Sequence, residues 1–203
     1  MTNIEIEFYE KSNNVLLILT GIGGTTKGFQ NKYVTIAKQV ANDYNFSVAV
    51  ATTPTGSWWT MEENLQYIMN YLFARAKDKN FKVYAMGSSI GANIVLSFSY
   101  LFPQIEKILA INPVMTMNLH KIDKGVKNFT GKKINVVFGE KDPSCSWAGL
   151  LPQIDVLETI VLPNIDHIFK DNLQTFIDLP NHYLFYDKWT LYIANAYFIF
   201  KCE

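Results

Sequence analysis

Gly87-Ser88-Ser89-Ile90-Gly91 stands between a strand-like apolar run at 81–86 and a helical pattern that follows it. A G-x-S-x-G pentapeptide in that setting makes a sharp turn that lifts a serine hydroxyl to the end of a sheet. The turn leaves no space for side chains at Gly87 and Gly91, and it sets Ser89 beside the positive end of the next helix. The chemistry served by such a serine is nucleophilic attack on a carbonyl. A hydroxyl is a weak nucleophile alone and requires a base within hydrogen-bond reach.

The chain offers three histidines, His120, His167 and His182. His167 comes a few residues after the run 157–162, which places it at the carboxyl edge where open sheets bind ligands. His120 precedes the acid candidate, and the order for this motif is serine, acid, histidine. His182 lies beyond Pro180, away from any strand end. His167 is therefore the expected base. A carboxylate must hold its tautomer and stabilise the imidazolium. Asp142, between the run 134–138 and Pro143, is the best placed. Glu140 is its local competitor, and Asp166 adjoins His167 too closely to reach round to the ring.

A second glycine-rich turn, Leu19-Thr20-Gly21-Ile22-Gly23-Gly24-Thr25-Thr26-Lys27-Gly28-Phe29, follows the apolar run 15–18. A phosphate loop wants Gly before its Lys and Ser or Thr after it, but Thr26 precedes Lys27 and Gly28 follows. A dinucleotide fingerprint that starts at Gly21 wants glycine where Thr26 stands. The third use of such a turn is to hold an oxyanion.

These residues need a scaffold, and the pattern between them supplies one. Strands are expected at 4–9, 15–18, 46–51, 81–86, 107–111, 134–138 and 157–162. The first two, joined through Ser12-Asn13-Asn14, read as an antiparallel hairpin; the later, continuously apolar ones suit a parallel sheet covered on both faces. Tyr33, Ile36, Ala37, Val40 and Tyr44 share one helical stripe. Thr60 and Glu63 have the spacing of a capping box ahead of Leu65, Ile68, Leu72 and Ala76. Further helices are expected at 91–102, stopped by Pro103, and at 171–178, ending before Pro180. Alternating strand and helix gives an α/β class: a doubly wound, mostly parallel sheet of seven strands, flanked by helices.

The order Ser89, Asp142, His167, with the elbow after 81–86, resembles the α/β-hydrolase fold family over nearly the whole chain to about residue 178. The resemblance implies a serine hydrolase that works through an acyl-enzyme without a cofactor. It further implies an oxyanion hole built from the N–H of Ile22, with Gly23 as the alternative, and the N–H of Ile90. Thr20 stands where the family often has His. A lid is often inserted after the strand at 107–111, whereas only 112–133 is available here. Val114 to Leu119 is expected as one short helix over an open site, with Met115 and Met117 toward the substrate, although filling the core is the commoner use of methionine. Gly23, Trp58 and Trp59 are the other expected pocket residues, although paired tryptophans also serve to pin a helix to a domain.

The 203 residues carry 18 basic and 18 acidic side chains, so nothing predicts long-range attraction to nucleic acid. No uncharged apolar run is long enough to span a bilayer, the N-terminus lacks a secretory pattern, and two cysteines are too few for a disulfide framework. A single cytoplasmic domain without membrane insertion is expected. No His, Cys or carboxylate spacing suggests a metal site. The partner expected is a small apolar acyl ester or thioester, with acyl transfer or a non-catalytic binding role as alternatives. Residues 183–203 are unusually aromatic, and are expected either to cover an apolar patch of the domain or to form a homodimer contact.

Overall fold

Strand β2 (Val15–Ile22) shows why both faces of the sheet must be covered: its first six residues are all buried. Leu16 and Ile18 point into one helical layer, while Val15, Leu17 and Leu19 point into the other. This is the period-2 alternation of a strand applied to an apolar run. The computed structural model describes residues 3–54, 56, 59–78 and 80–186.

Around β2 lie β1 (Ile6–Tyr9), β3 (Ser47–Thr53), β4 (Val83–Ser88), β5 (Ile105–Ile111), β6 (Lys133–Gly139) and β7 (Leu157–Leu162). Their order across the sheet is β1-β3-β2-β4-β5-β6-β7, and every pairing is parallel except that of β1 with β3. One layer is formed by α1 (Lys32–Tyr44) and α5 (Leu173–Pro180). The opposite layer contains α2 (Met61–Phe73), α3 (Ile90–Phe98) and α4 (Leu119–Lys127). Among the described residues no helix is long and apolar enough to cross a membrane.

The N-terminal strand is antiparallel, as expected, but its neighbour is β3 rather than β2. Half-buried at all four positions, β1 suits an edge, whereas the fully buried β2 requires a strand on each side. The connection crosses the start of β3 and is held there by Ser47. That buried hydroxyl accepts the N–H groups of Lys11 and Ser12 at 2.8 and 2.9 Å and donates to the Ser12 carbonyl at 2.6 Å.

Three helix boundaries also depart from expectation. Thr60 makes no backbone cap; its hydroxyl meets Asn64 Oδ1 at 3.3 Å, and Glu62 and Glu63 simply oppose the helix dipole. The third helix tightens into a 3-10 turn over Ser99–Leu101 before Pro103. Pro180 lies inside α5, and the chain continues as a π-turn, Asn181–Phe185. A proline ring crowds the preceding turn and lacks a donor, and a wider turn accommodates both defects.

The lid helix expected at Val114 to Leu119 does not form. That stretch is a turn, and the helix begins at Leu119 and packs on α3 through Ile122 and Val126. Gly125 sets the distance between the two helices: a Cβ there would lie 2.1 Å from the Leu96 carbonyl oxygen.

Of the aromatic C-terminal stretch, Tyr183 to Tyr186 belong to the described residues and pack on the domain. Leu184 is fully buried, and Phe185 stacks on Tyr44 with ring centroids 4.1 Å apart. Residues 187–203 lie outside the described residues, and with them the homodimer expectation.

Gly125→Val is expected to destabilise the fold by about 3 kcal/mol through overpacking against fixed backbone, and so to lower the melting temperature by roughly 6–12 °C. Gly149→Ala, at a position open to space, should leave it unchanged. Equal melting curves for the two variants would contradict this account of the α3–α4 contact.

Candidate active site

Strand β4 ends at Ser88 and α3 starts at Ile90, so Ser89 alone makes the turn. Its backbone is held at φ 55° and ψ −121°, a strained conformation that costs on the order of 1–3 kcal/mol. The flanking glycines are required by space. A Cβ at Gly87 would lie 2.3 Å from the Gly91 carbonyl oxygen, and one at Gly91 would lie 2.5 Å from the carbonyl oxygens of Leu19 and Thr20. The Ser89 N–H donates to the Ile111 carbonyl at 2.9 Å, which ties the turn to β5.

His167 stands on the loop between β7 and α5. The Ser89 hydroxyl donates to its Nε2 at 3.2 Å, and its Nδ1–H donates to Asp142 Oδ2. The second carboxylate oxygen of Asp142 accepts the Ser144 N–H at 2.6 Å. The Asp142 side chain is 1% exposed, whereas His167 is 38% exposed. Ser89, His167 and Asp142, from three separate segments of the chain, are thereby brought together. The competing acids have other work: Glu140 accepts the Asn164 N–H at 2.8 Å, and Asp166 accepts those of Ile168 and Lys170 at 3.1 and 3.0 Å.

The two ends of the pair polarise each other. The hydrogen bond to Asp142 raises the His167 pKa, burial opposes it, and the charges of Asp142 and Asp166 add to the rise, while Lys32 acts against it. Burial alone would raise the Asp142 pKa. The hydrogen bonds from His167 and Ser144 outweigh that and hold it below the usual carboxylate range.

Thr20, in the glycine-rich turn, forms a reciprocal pair with Thr53 at the end of β3. The Thr53 N–H donates to Thr20 Oγ1 at 3.0 Å, and the Thr53 hydroxyl donates to the Thr20 carbonyl at 2.6 Å. The Gly23 N–H is spent on the Thr53 carbonyl at 2.9 Å. Ile22, the last residue of β2, directly precedes it. Gly21 lies against the elbow, its Cβ direction 3.5 Å from Ser89 Cβ. Ile90 is the first residue of α3, where N–H groups have no partner within the helix.

The expected pocket residues fare differently. Met115 is fully buried in the core, and Met117 is partly buried against the same core. Trp59 is 81% exposed, and Trp58 lies outside the described residues. Two buried asparagines escaped the sequence reading. Asn93 on α3 accepts the Val114 N–H at 2.8 Å and donates to the Val114 and Met117 carbonyls at 3.0 and 3.1 Å, which fixes the loop after β5. Asn112 reaches the histidine loop. Lys32 was also missed. Its ammonium sits 3.7 Å from the Phe176 ring centroid, and burial lowers its pKa to about 8.

The architecture and the elbow together define the α/β-hydrolase fold. No protein-family model and no curated protein sequence matches this chain. Solved structures do. Est1E from Butyrivibrio proteoclasticus superposes with a TM-score of 0.67 at 12% identity, covering 88% of this chain and 91% of its own. The esterase domain of a Rhodothermus marinus protein gives 0.61 at 10% identity, covering 89% and 99%. An alpha-beta serine hydrolase homologue from Coxiella burnetii gives 0.63 at 14% identity, covering 88% and 96%. At such identities the likeness establishes the fold.

Asp142→Asn removes the largest cause of the raised His167 pKa and is expected to move the imidazole titration to lower pH. The ring resonances of His167, followed by NMR across the titration, provide the check; an unchanged or higher midpoint would contradict the assignment of the pair.

Proposed function

We propose that this protein is a serine hydrolase that cleaves small apolar carboxylic esters or thioesters through an acyl-enzyme on Ser89. The observation that carries the reading is the hydrogen-bonded series Ser89, His167, Asp142 on a strained elbow at the carboxyl edge of the sheet. Ser89 Oγ attacks the carbonyl carbon while His167 Nε2 takes its proton. The imidazolium then hands that proton to the departing alkoxide or thiolate. Water repeats the sequence on the acyl-enzyme, restoring the serine and releasing the acid. Asp142 holds the ring with Nε2 free to accept and stabilises the positive charge that forms on it.

Negative charge develops on the carbonyl oxygen in the tetrahedral intermediate. The N–H groups of Ile22 and Ile90 are the donors in this proposal, each worth about 3 kcal/mol of transition-state stabilisation. The apolar substrate class is supported by the rim. Ile22, Phe29, Trp59, Trp147, Leu150 and Ile168 are all exposed, and they fall at or after the carboxyl ends of β2, β3, β6 and β7, in the connections to the next elements. Six of the ten large apolar side chains exposed among the described residues fall in these connections, and apolar surface gathered at the carboxyl edge of a sheet favours an apolar ligand.

Treatment with a fluorophosphonate is expected to add one adduct to the wild-type protein by intact mass and none to Ser89→Ala. Absence of the adduct from folded wild type would favour a binding role over catalysis. Asp142→Asn should label more slowly by about 10⁴-fold at neutral pH. Among ester substrates of matched leaving group, neutral apolar acyl chains should give the higher kcat/KM. Preference for strongly anionic ones would overturn the substrate class.

A further inference from the structure

Asn112 is the residue directly after β5, and nothing in the mechanism above uses it. It is fully buried, with φ at 46°, and each polar atom of its side chain is engaged. Its Oδ1 accepts the Gly139 N–H at 2.7 Å, at the end of β6. Its Nδ2 donates to the carbonyls of Asp166 and His167 at 3.3 and 3.0 Å. Its own N–H donates to the Val137 carbonyl at 2.8 Å. One amide thus joins the ends of two strands to the backbone of His167 itself.

The loop it grips is stiff within itself. The Asp166 carboxylate accepts two N–H groups farther along, and the Phe169 ring packs edge-on against Phe176 at 5.2 Å. A loop braced in this way takes its position relative to Ser89 from where it is anchored to the sheet. The Lys141 N–H bonds the Ile165 carbonyl at 2.9 Å, before the histidine. Asn112 is the anchor at the histidine.

We propose that Asn112 is a positioning residue that sets the location of His167 between Ser89 and Asp142 through the Nδ2 bonds to the His167 loop. Its effect on rate rests on the serine-hydrolase reading; its effect on the ring does not. A carboxamide suits the task because it presents an acceptor to β6 and donors to the loop at once. Asparagine also tolerates the left-handed backbone better than most residues.

Two substitutions separate the parts. Asn112→Gly removes the side chain while keeping the backbone conformation unstrained. Asn112→Asp retains an acceptor for Gly139 and loses both donors to the loop. Fluorophosphonate labelling is expected to slow in both variants on the order of 100-fold, the scale of a displacement of about 1 Å at a reacting group. In Asn112→Gly the His167 titration, followed by ring NMR, should also fall toward that of free imidazole as its contact with Asp142 loosens. Wild-type labelling rates in a folded Asn112→Asp would overturn the proposal, because the β6 clasp alone would then suffice. If wild type itself does not label, the hydrolase reading falls, and the ring titration decides: a lowered midpoint in Asn112→Gly sustains the positioning role and an unchanged one removes it. If Asn112→Gly does not fold, the labelling rate of Asn112→Asp decides.

Discussion

Backbone contact without intervening side chains at the elbow governs this molecule. With Gly87 and Gly91 admitting no Cβ, α3 can begin immediately after β4 and lie against the carbonyls of β2. That approach places the helix N-terminus, Ser89 and the glycine-rich turn within one small volume. The strain at Ser89 is sustained because the surroundings over-determine it: β5 accepts its N–H, and the helix behind it is buried at every position. From α3 the constraint passes to α4 through Gly125, and to the loop after β5 through Asn93.

Around that fixed point, amides and hydroxyls do the work often given to charges. Thr20 and Thr53 lock the glycine-rich turn to β3, and Asn112 locks the histidine loop to β5 and β6. Neutral groups suit these buried positions. A carboxamide or hydroxyl loses far less hydration than an ion, and its hydrogen bonds can replace what it loses. The buried charge at the site, Asp142, has a partner at each carboxylate oxygen.

How far the sequence revealed this depends on what each residue type signals. Ser89, His167 and Asp142 were legible because elbow spacing, chain order and strand ends are one-dimensional facts. The seven strands were legible because apolar runs report burial. The neighbour of β1 was not, since alternation tells which face a residue occupies and says nothing of which strand lies beside it. Asn93 and Asn112 look like ordinary helix and turn residues, and only three dimensions show their second partners. Met115 and Met117 stand where a lid is often inserted, yet an apolar stretch in that place reads the same whether it forms a lid or fills a core. Pro180 read as a stop because the π-turn that absorbs it has no sequence mark of its own.

The uneven exposure of the His167–Asp142 pair has a consequence for proton traffic. The carboxylate end is sealed and the imidazole end is wet, so exchange with bulk solvent is available at one end only. Each Asp142 oxygen faces a protein donor, Ser144 N–H on one and His167 Nδ1–H on the other. Proton exchange at His167 is therefore coupled to whatever covers the ring. A molecule that covered the exposed face of the ring would isolate its proton for as long as it stayed, and its departure would reopen the exchange.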